Sequence, residues 1–516
     1  MKKSVWIVDF GSQYTQLITR RTREIGHSSE IITFSELKRR WDRNEKPKAL
    51  VLSGGPRSIS EDENDYSFIF TDESLPILGI CYGMQIIAQT CGGLVERGEA
   101  GEYGLAPVVL ESEFKPKNVP GEFIAWMSHF DHVTKLPEGM EVIIRSKNGP
   151  LAGIKHQSKP LMGLQFHPEV EHTANGKELL EYFYSDLANM TADWDNSQML
   201  DEALSVIKEE PNPEILCAFS GGVDSLVAAT LAQMAFPGKV HCFFVDHGLL
   251  RPQDIHHIET LKNETDLHIE VVNVAEQFFE KLAGVNDPEK KRKIIGHEFI
   301  TVFEQKVKEF EENKGIHFTH LLQGTLYPDV IESVSPHGEE GASVTIKSHH
   351  NVGGLPERMK LKLMEPLRYL FKDEVRILGE SVGLRHEWVH RHPFPGPGIG
   401  VRVLGELTKT RVQQVQQSDQ ILFEELKGQN LYESTWQALT VLLPVKTVGV
   451  KGDTRAYEEV ICLRLVNSSD GMTAEWTDLP RSFLSSVSRR ITNEVAGITR
   501  VVYDITDKPP GTIEWE

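Results

Sequence analysis

Short apolar runs recur along the chain, separated by turn residues and helix-like stretches. Residues 5–8, 49–52, 76–80 and 160–163 form one set; residues 214–219, 240–245 and 317–322 form a second. Runs this short, apolar at successive positions, are what parallel strands buried on both faces show. The stretches between them carry helix formers, as in the Ala/Leu-rich segment 226–234. This alternation predicts open, mainly parallel α/β sheets. Towards the C-terminus the pattern changes: 407–424 reads as helix, 459–464 as strand, and the end of the chain alternates like a strand from Arg500. Two breaks divide the chain. A polar stretch around residue 193 closes the first set, and Arg391-His392-Pro393-Phe394-Pro395-Gly396-Pro397-Gly398 excludes helix. The predicted organisation is two consecutive open, mainly parallel-sheet α/β domains, 1–193 and 194–391, followed by a small α+β domain, 392–516. Residues 333–358 have no hydrophobic period and are predicted to form a mobile loop.

Composition narrows the class. Lys plus Arg is 55 against 75 for Asp plus Glu, a formal charge of −20, which argues against a general grip on nucleic acid. A chain of 516 residues is too long for one core. No apolar run reaches the ~18 residues a membrane span needs. The N-terminal run is interrupted by Asp9 too early for a signal peptide. The five cysteines show no metal-ligand spacing and read as reduced thiols of a cytoplasmic protein.

One of them stands apart. Gly79-Ile80-Cys81-Tyr82-Gly83 joins an apolar run to a helix-like one, the nucleophile-elbow pattern with Cys in place of Ser. The glycines permit a sharp turn, and the helix N-terminus behind it favours a thiolate. Gly54 and Gly55, after another apolar run, offer backbone amides to an oxyanion together with the amide of Tyr82. His167 and Glu169 are two apart, so in an extended segment they share a face and the carboxylate can orient the imidazole as a base for Cys81. The polar cluster 126–131 is a candidate for substrate contact, or simply a surface turn. Ser53-Gly54-Gly55-Pro56, the run 79–85 and Gln165-Phe166-His167-Pro168-Glu169, in this order and spacing, resemble the class I glutamine amidotransferases. The resemblance implies that Cys81 attacks the glutamine carboxamide, that His167 and Glu169 complete a triad, and that ammonia is released. Gly54, Gly55, Tyr82 and Gln85 would line the glutamine site. Phe130 stands where that family often has Gly.

A second site begins at Ser220-Gly221-Gly222-Val223-Asp224-Ser225-Leu226, between an apolar run and a helix-like one. Glycines let the backbone approach closely, a helix N-terminus favours anions, and Ser220 and Ser225 add hydroxyl donors: together a phosphate cradle. It lacks the Gly-Lys-Ser/Thr ending of a Walker A loop. Asp224 could bear on Mg²⁺, as could Asp329 and Glu332 after the run 317–322. Asp246 and Arg251 follow the run 240–245 and so lie near whatever the loop holds. Lys347, His349 and His350, in the predicted mobile loop, suit a cationic lid over phosphates.

The loop resembles that of the ATP pyrophosphatases, which cleave ATP between the α and β phosphates. With the runs 245–251, 323–333 and 346–357, and an amidotransferase before it, the whole chain resembles the glutamine-hydrolysing GMP synthase family. That implies amination of XMP to GMP with glutamine-derived ammonia, through an adenyl-XMP intermediate, releasing AMP, pyrophosphate and glutamate. It implies ATP and Mg²⁺ at the Ser220 loop, and XMP contacts from Lys508, Thr512, Ile513 and Glu514 with Arg251 and Arg500 nearby. It also implies a homodimer formed through the C-terminal domain. Leu226 departs from the Ser or Thr that many members of the family carry there. The alternatives are another glutamine-dependent ATP pyrophosphatase amidotransferase, such as one making NAD, and a non-catalytic glutamine or nucleotide sensor. The run 508–516 speaks against the first, and the intact Cys81, His167 and Glu169 set against the second.

Overall fold

The apolar runs of the first set become neighbouring parallel strands. In the computed structural model, which describes residues 3–147, 150–333, 361–451, 453–468 and 473–516, β1 (Val5–Asp9) pairs in parallel with β2 (Ser29–Thr33) and β3 (Ala49–Leu52). Strand β3 continues to β4 (Ile77–Ile80), and β4 to β9 (Leu161–Leu164). Strands β5 (Leu94–Leu110), β6 (Glu122–Lys135), β7 (Met140–Ser146) and β8 (Leu151–His156) extend this sheet antiparallel, in the order β2-β1-β3-β4-β9-β8-β7-β5-β6. Successive side chains of a strand point to opposite faces, and each face has its own core. Val5, Ile7 and Val51 join one cluster of buried residues; Trp6, Val8, Leu50 and Leu52 join another. This is why the runs are apolar throughout instead of alternating. These elements belong to the first of two compact units, Met1–Met199.

The polar cluster 126–131, read above as a possible surface turn, lies within β6, whose alternating burial marks a strand with only one face in the core.

The second unit, Leu200–Glu516, is built on an all-parallel sheet of β10 (Ile215–Ala218), β11 (Val240–Asp246), β12 (His268–Asn273), β13 (His320–Leu322) and β14 (Lys362–Met364), in the order β12-β11-β10-β13-β14. Each inner strand ends at a loop that carries candidate site residues or leads to them: β10 leads into residues 219–222, β11 into 247–251, and β13 into 323–326. A smaller sheet follows, with β15 (Gln437–Lys451) and β16 (Thr454–Asn467) antiparallel. The short β17 (Glu475–Trp476) and the parallel β18 (Ile498–Tyr503) both pair with β16. Helices Lys409–Gly428 and Arg481–Glu494 bury Val415, Leu422, Phe483 and Val487 in the core they share with β16. The chain is thus α/β, with mainly parallel sheets and a C-terminal region of antiparallel strands and helices.

The last residues are held in place. Lys508 and Ala474 form a β-bridge, the buried Arg464 donates to the carbonyl oxygens of Thr506 and Thr512, and the Trp515 indole donates to Asp504 at 3.0 Å. Lys347, His349 and His350, with most of the predicted mobile loop, lie outside the described residues.

Candidate functional site

Cys81 sits where β4 meets the helix Tyr82–Thr90, with φ +51° and ψ −104°. A non-glycine residue at positive φ is strained and persists only when its surroundings enforce it. Here they do. A Cβ on Gly79 would lie 2.4 Å from the Gly83 carbonyl carbon, and one on Gly83 would lie 2.1 Å from the Leu52 carbonyl oxygen. The elbow therefore needs glycine on both sides, and the tight turn lifts the thiol off the end of the sheet. Its Sγ donates to the Ser128 carbonyl at 3.7 Å and accepts from Gln165 Nε2 at 3.8 Å.

His167 follows β9, the strand next to β4, which brings it to the same sheet end as Cys81. Its Nδ1 lies 2.7 Å from Glu169 Oε1, and both side chains are buried, at 4% and 0% exposure. Burial opposes a charge on the imidazole. The Glu169 carboxylate and the hydrogen bond with Cys81 outweigh it and hold the His167 pKa well above its ordinary value. The Tyr14 ring packs edge-on against the imidazole at 4.9 Å.

The Gly54–Gly55 loop is fitted to the same place. A Cβ on Gly54 would stand 3.1 Å from His167 Cε1, and one on Gly55 would stand 2.9 Å from the Phe10 carbonyl oxygen. Tyr82 is buried and donates its hydroxyl to Asp62. Gln85 is also buried and donates to the Asp131 carbonyl at 3.0 Å. Strand β6 serves the site through its main chain, with carbonyls of Trp126, Ser128 and Asp131 accepting from the His167 amide, Cys81 and Gln85. Phe130 is exposed and packs against Tyr103. The structure thus brings Cys81, His167, Glu169, Gly54 and the Gln165 side chain together. Sequence reasoning passed over Gln165, although it is two residues before His167 and repeats the spacing that linked His167 to Glu169.

In the second unit the candidate phosphate loop forms a turn from β10 into a helix. Gly221 has φ +71°, Gly222 caps the helix Val223–Ala235, and the hydroxyls of Ser220 and Ser225 are 3.1 Å apart. The Gly222 amide donates to Ser220 Oγ at 3.2 Å. Val223 and Leu226 are buried, so their side chains serve the core rather than the cradle. That accounts for the hydroxyl missing at 226. Asp224 lies at the helix start and accepts from Lys372 Nζ at 2.8 and 2.6 Å. Nothing in the local pattern announces Lys372, which is 148 residues away.

The remaining candidates divide. Asp329 is turned back to its own helix start, accepting from the Leu326 amide at 3.0 Å. Glu332 belongs to the helix Tyr327–Ser333, but its side chain is outside the described residues. Arg251 is buried, bidentate to Asp254 at 2.7 and 3.0 Å and over the Phe394 ring at 4.2 Å. Arg391 also donates to Asp254, and to the Gly221 carbonyl at 3.4 Å, tying the proline-rich segment to the phosphate loop. Glu514 binds the fully buried Arg402 through two bonds of 3.1 and 2.8 Å and accepts from Gln437 at 3.0 Å. Ile513 packs against Leu439, Val441 and Cys462. Arg500 lies exposed on β18, 3.4 Å from Thr447 Oγ1, and Thr512 donates its hydroxyl to the Glu514 carbonyl.

Comparison with known proteins follows this division of the chain. A family model of class-I glutamine amidotransferases matches residues 6–187, one of the phosphoadenosine phosphosulfate reductase domain matches 214–324, and one of the GMP synthase C terminal domain matches 424–515. The curated "GMP synthase [glutamine-hydrolyzing]" of Aquifex aeolicus is 47% identical over 529 residues, covering 100% of both chains. That of Chlorobium phaeovibrioides is 49% identical over 525 residues, again with 100% of both covered. That of Thermosipho africanus is 47% identical over 515 residues, covering 99% of this chain and 100% of its own.

Proposed function

The chain belongs to the glutamine-hydrolysing GMP synthases, and from that premise we propose how its residues divide the work. The overall reaction is the ATP-driven amination of XMP to GMP with ammonia from glutamine. The alternative of a different amidotransferase or a sensor is not favoured. We assign glutamine hydrolysis to 1–193, ATP activation to 194–391, and XMP binding and dimerisation to 392–516.

In the first step the Cys81 thiol gives its proton to His167 and its Sγ attacks the carboxamide carbon of glutamine. The oxyanion that forms faces the amides of Tyr82 and the Gly54–Gly55 loop, where preorganised donors are worth most. Imidazolium at His167 gives its proton to the departing ammonia, and Glu169 keeps the ring charged and oriented. Water then releases glutamate from the thioester. The observation that carries this assignment is the strained Cys81 backbone beside the buried His167–Glu169 pair.

In the second unit, Ser220, Ser225 and the loop amides hold the ATP phosphates. The xanthine O2 of XMP attacks the α-phosphorus, pyrophosphate leaves, and ammonia displaces AMP from the adenylated carbon. The activation is needed because the carbonyl oxygen leaves only once it carries AMP. A Mg²⁺ ion fits a site with one or two carboxylates and substrate phosphates. Asp224, at the cradle and balanced by Lys372, would hold the ion, and the ion would help neutralise the phosphate charge. Asp329, one of whose oxygens already caps its own helix, could offer the other as a second ligand under the same reading. For XMP, the latched end of the chain presents Lys508, Thr512 and Ile513, while Arg251 and Glu514 support that surface through Asp254 and Arg402.

Pairing of two copies is supported by apolar side chains on the β15–β16 hairpin, where Val448, Val450 and Tyr457 are 47%, 73% and 64% exposed. A cytoplasmic setting is supported by the five unpaired cysteines.

The test is Cys81→Ala. It should abolish glutamine-dependent GMP formation and leave synthesis from added ammonium intact. Loss of both activities in a folded protein would refute the division.

A further inference from the structure

The second unit carries a cluster of metal-ligating side chains that the reaction does not use. The helix Lys372–Ser381 ends just after Glu380. The chain then turns at Gly383, at φ +92°, and enters the short helix His386–Val389. His386 and His390 are four residues apart, so one helical turn places them on the same side. Their rings stack with centroids 3.9 Å apart and planes 20° from parallel. Both address one carboxylate oxygen. His386 Nδ1 lies 2.6 Å, and His390 Nε2 3.3 Å, from Glu380 Oε1.

All three ligand atoms lie within 4.8 Å of one another, and no other such group of three occurs among the described residues. Two imidazole nitrogens and one carboxylate oxygen form the donor set of a zinc-class ion with an open position. Ligand bonds of about 2.0–2.2 Å place neighbouring donors about 3.3–3.6 Å apart in a tetrahedron. Small rotations of these side chains reach that spacing, because Glu380 and His386 are 40% and 63% exposed. An isolated surface pair would need only one histidine on the carboxylate.

We propose that Glu380, His386 and His390 bind one divalent transition-metal ion, with water completing its coordination. The site lies at a structural junction. Its glutamate shares a helix with Lys372, which holds Asp224 of the phosphate loop, and His390 precedes Arg391, which holds the Gly221 carbonyl. A bound ion braces these two supports against each other.

The test uses the full-length protein stripped with a chelator and titrated with Co²⁺, then with competing Zn²⁺. The expected result is one equivalent of Co²⁺ with the intense visible absorption of four- or five-coordinate cobalt, displaced by Zn²⁺. His386→Ala, His390→Ala and Glu380→Gln should each weaken binding at least about tenfold, the scale on which even supporting groups affect metal affinity. His256→Ala, at an exposed histidine outside the cluster, should change nothing. Zn²⁺ should raise the melting temperature of the parent protein and not of the three variants. A spectrum no different from free Co²⁺ would overturn the proposal, as would variants that bind like the parent.

Discussion

Glu169→Gln tests the glutaminase site at the point where its electrostatics are most exposed to refutation. The wild-type carboxylate is 0% exposed, 2.7 Å from His167 Nδ1, and its other oxygen, Oε2, has no hydrogen-bond partner. Among the described residues His167 is therefore the hydrogen-bonded partner of that carboxylate. The isosteric amide removes the carboxylate charge and leaves an imidazole whose burial now acts unopposed. Removing one partner of a buried pair costs about 3–5 kcal/mol. Applied to the hydrolytic transition state, that is about 150- to 5000-fold in rate. The sign with pH follows from the raised His167 pKa. Its charge contributes stability that is fully present below the ordinary value of 6.5 and is lost as pH rises through the raised folded value. In the variant the alkaline limb of glutaminase activity should move to lower pH. The assay is glutamate release against pH, with ammonium-dependent GMP formation measured on the same preparations. Glutaminase within about threefold of wild type, or an unmoved alkaline limb, would show that Glu169 does not hold the proton on His167.

Two further changes probe the scaffold. Gly83→Ala forces a methyl against the Leu52 carbonyl oxygen, 2.1 Å from its ideal position. Overpacking of this kind costs about 1–3 kcal/mol or more, so glutaminase should fail on heating at temperatures where ammonium-dependent synthesis persists. Glu516→Leu strips the carboxylate from Lys291, whose side chain is 0% exposed and whose Nζ lies 2.6 Å from both Glu516 Oε2 and the Val403 carbonyl. Denaturant unfolding should show a loss of about 3 kcal/mol together with weaker ammonium-dependent synthesis and unchanged glutaminase. Adding Lys291→Met should restore part of the stability, since the orphaned charge is then gone.

The elbow and the phosphate loop were legible because both are local. Cys81 and Ser220 each stand between a run apolar at every position and a helix-forming stretch, and the glycines that permit the turns are adjacent in sequence. The His167–Glu169 pair was legible for a similar reason, since a spacing of two assigns both to one side of an extended segment. Gln165 obeys the same spacing and could have been found by it. Strand β6 was harder, because its buried face carries the polar His129 and Asp131 while its outer face carries Trp126 and Phe130, which blurs the alternation that marks a half-buried strand. Residues 126–131 therefore read as a polar cluster instead of as the backbone wall of the thiol site.

Chain order alone could supply the parallel strands, the turns that follow them and a candidate nucleophile, because strand burial, turn chemistry and helix starts are set by residues within a few positions of one another. It could not supply the partners that close each site. Lys372 reaches Asp224 across 148 residues, Arg391 reaches Gly221 across 170, and Arg402 reaches Glu514 across 112. Glu516 likewise finds its place on Lys291 across 225 residues. A buried charge is stable only when an opposite charge or a carbonyl meets it, and strand order and helix packing select which one does. The same folding brings Glu380, His386 and His390 onto a common centre, where sequence spacing joins the two histidines but only the turn through Gly383 returns them to the carboxylate.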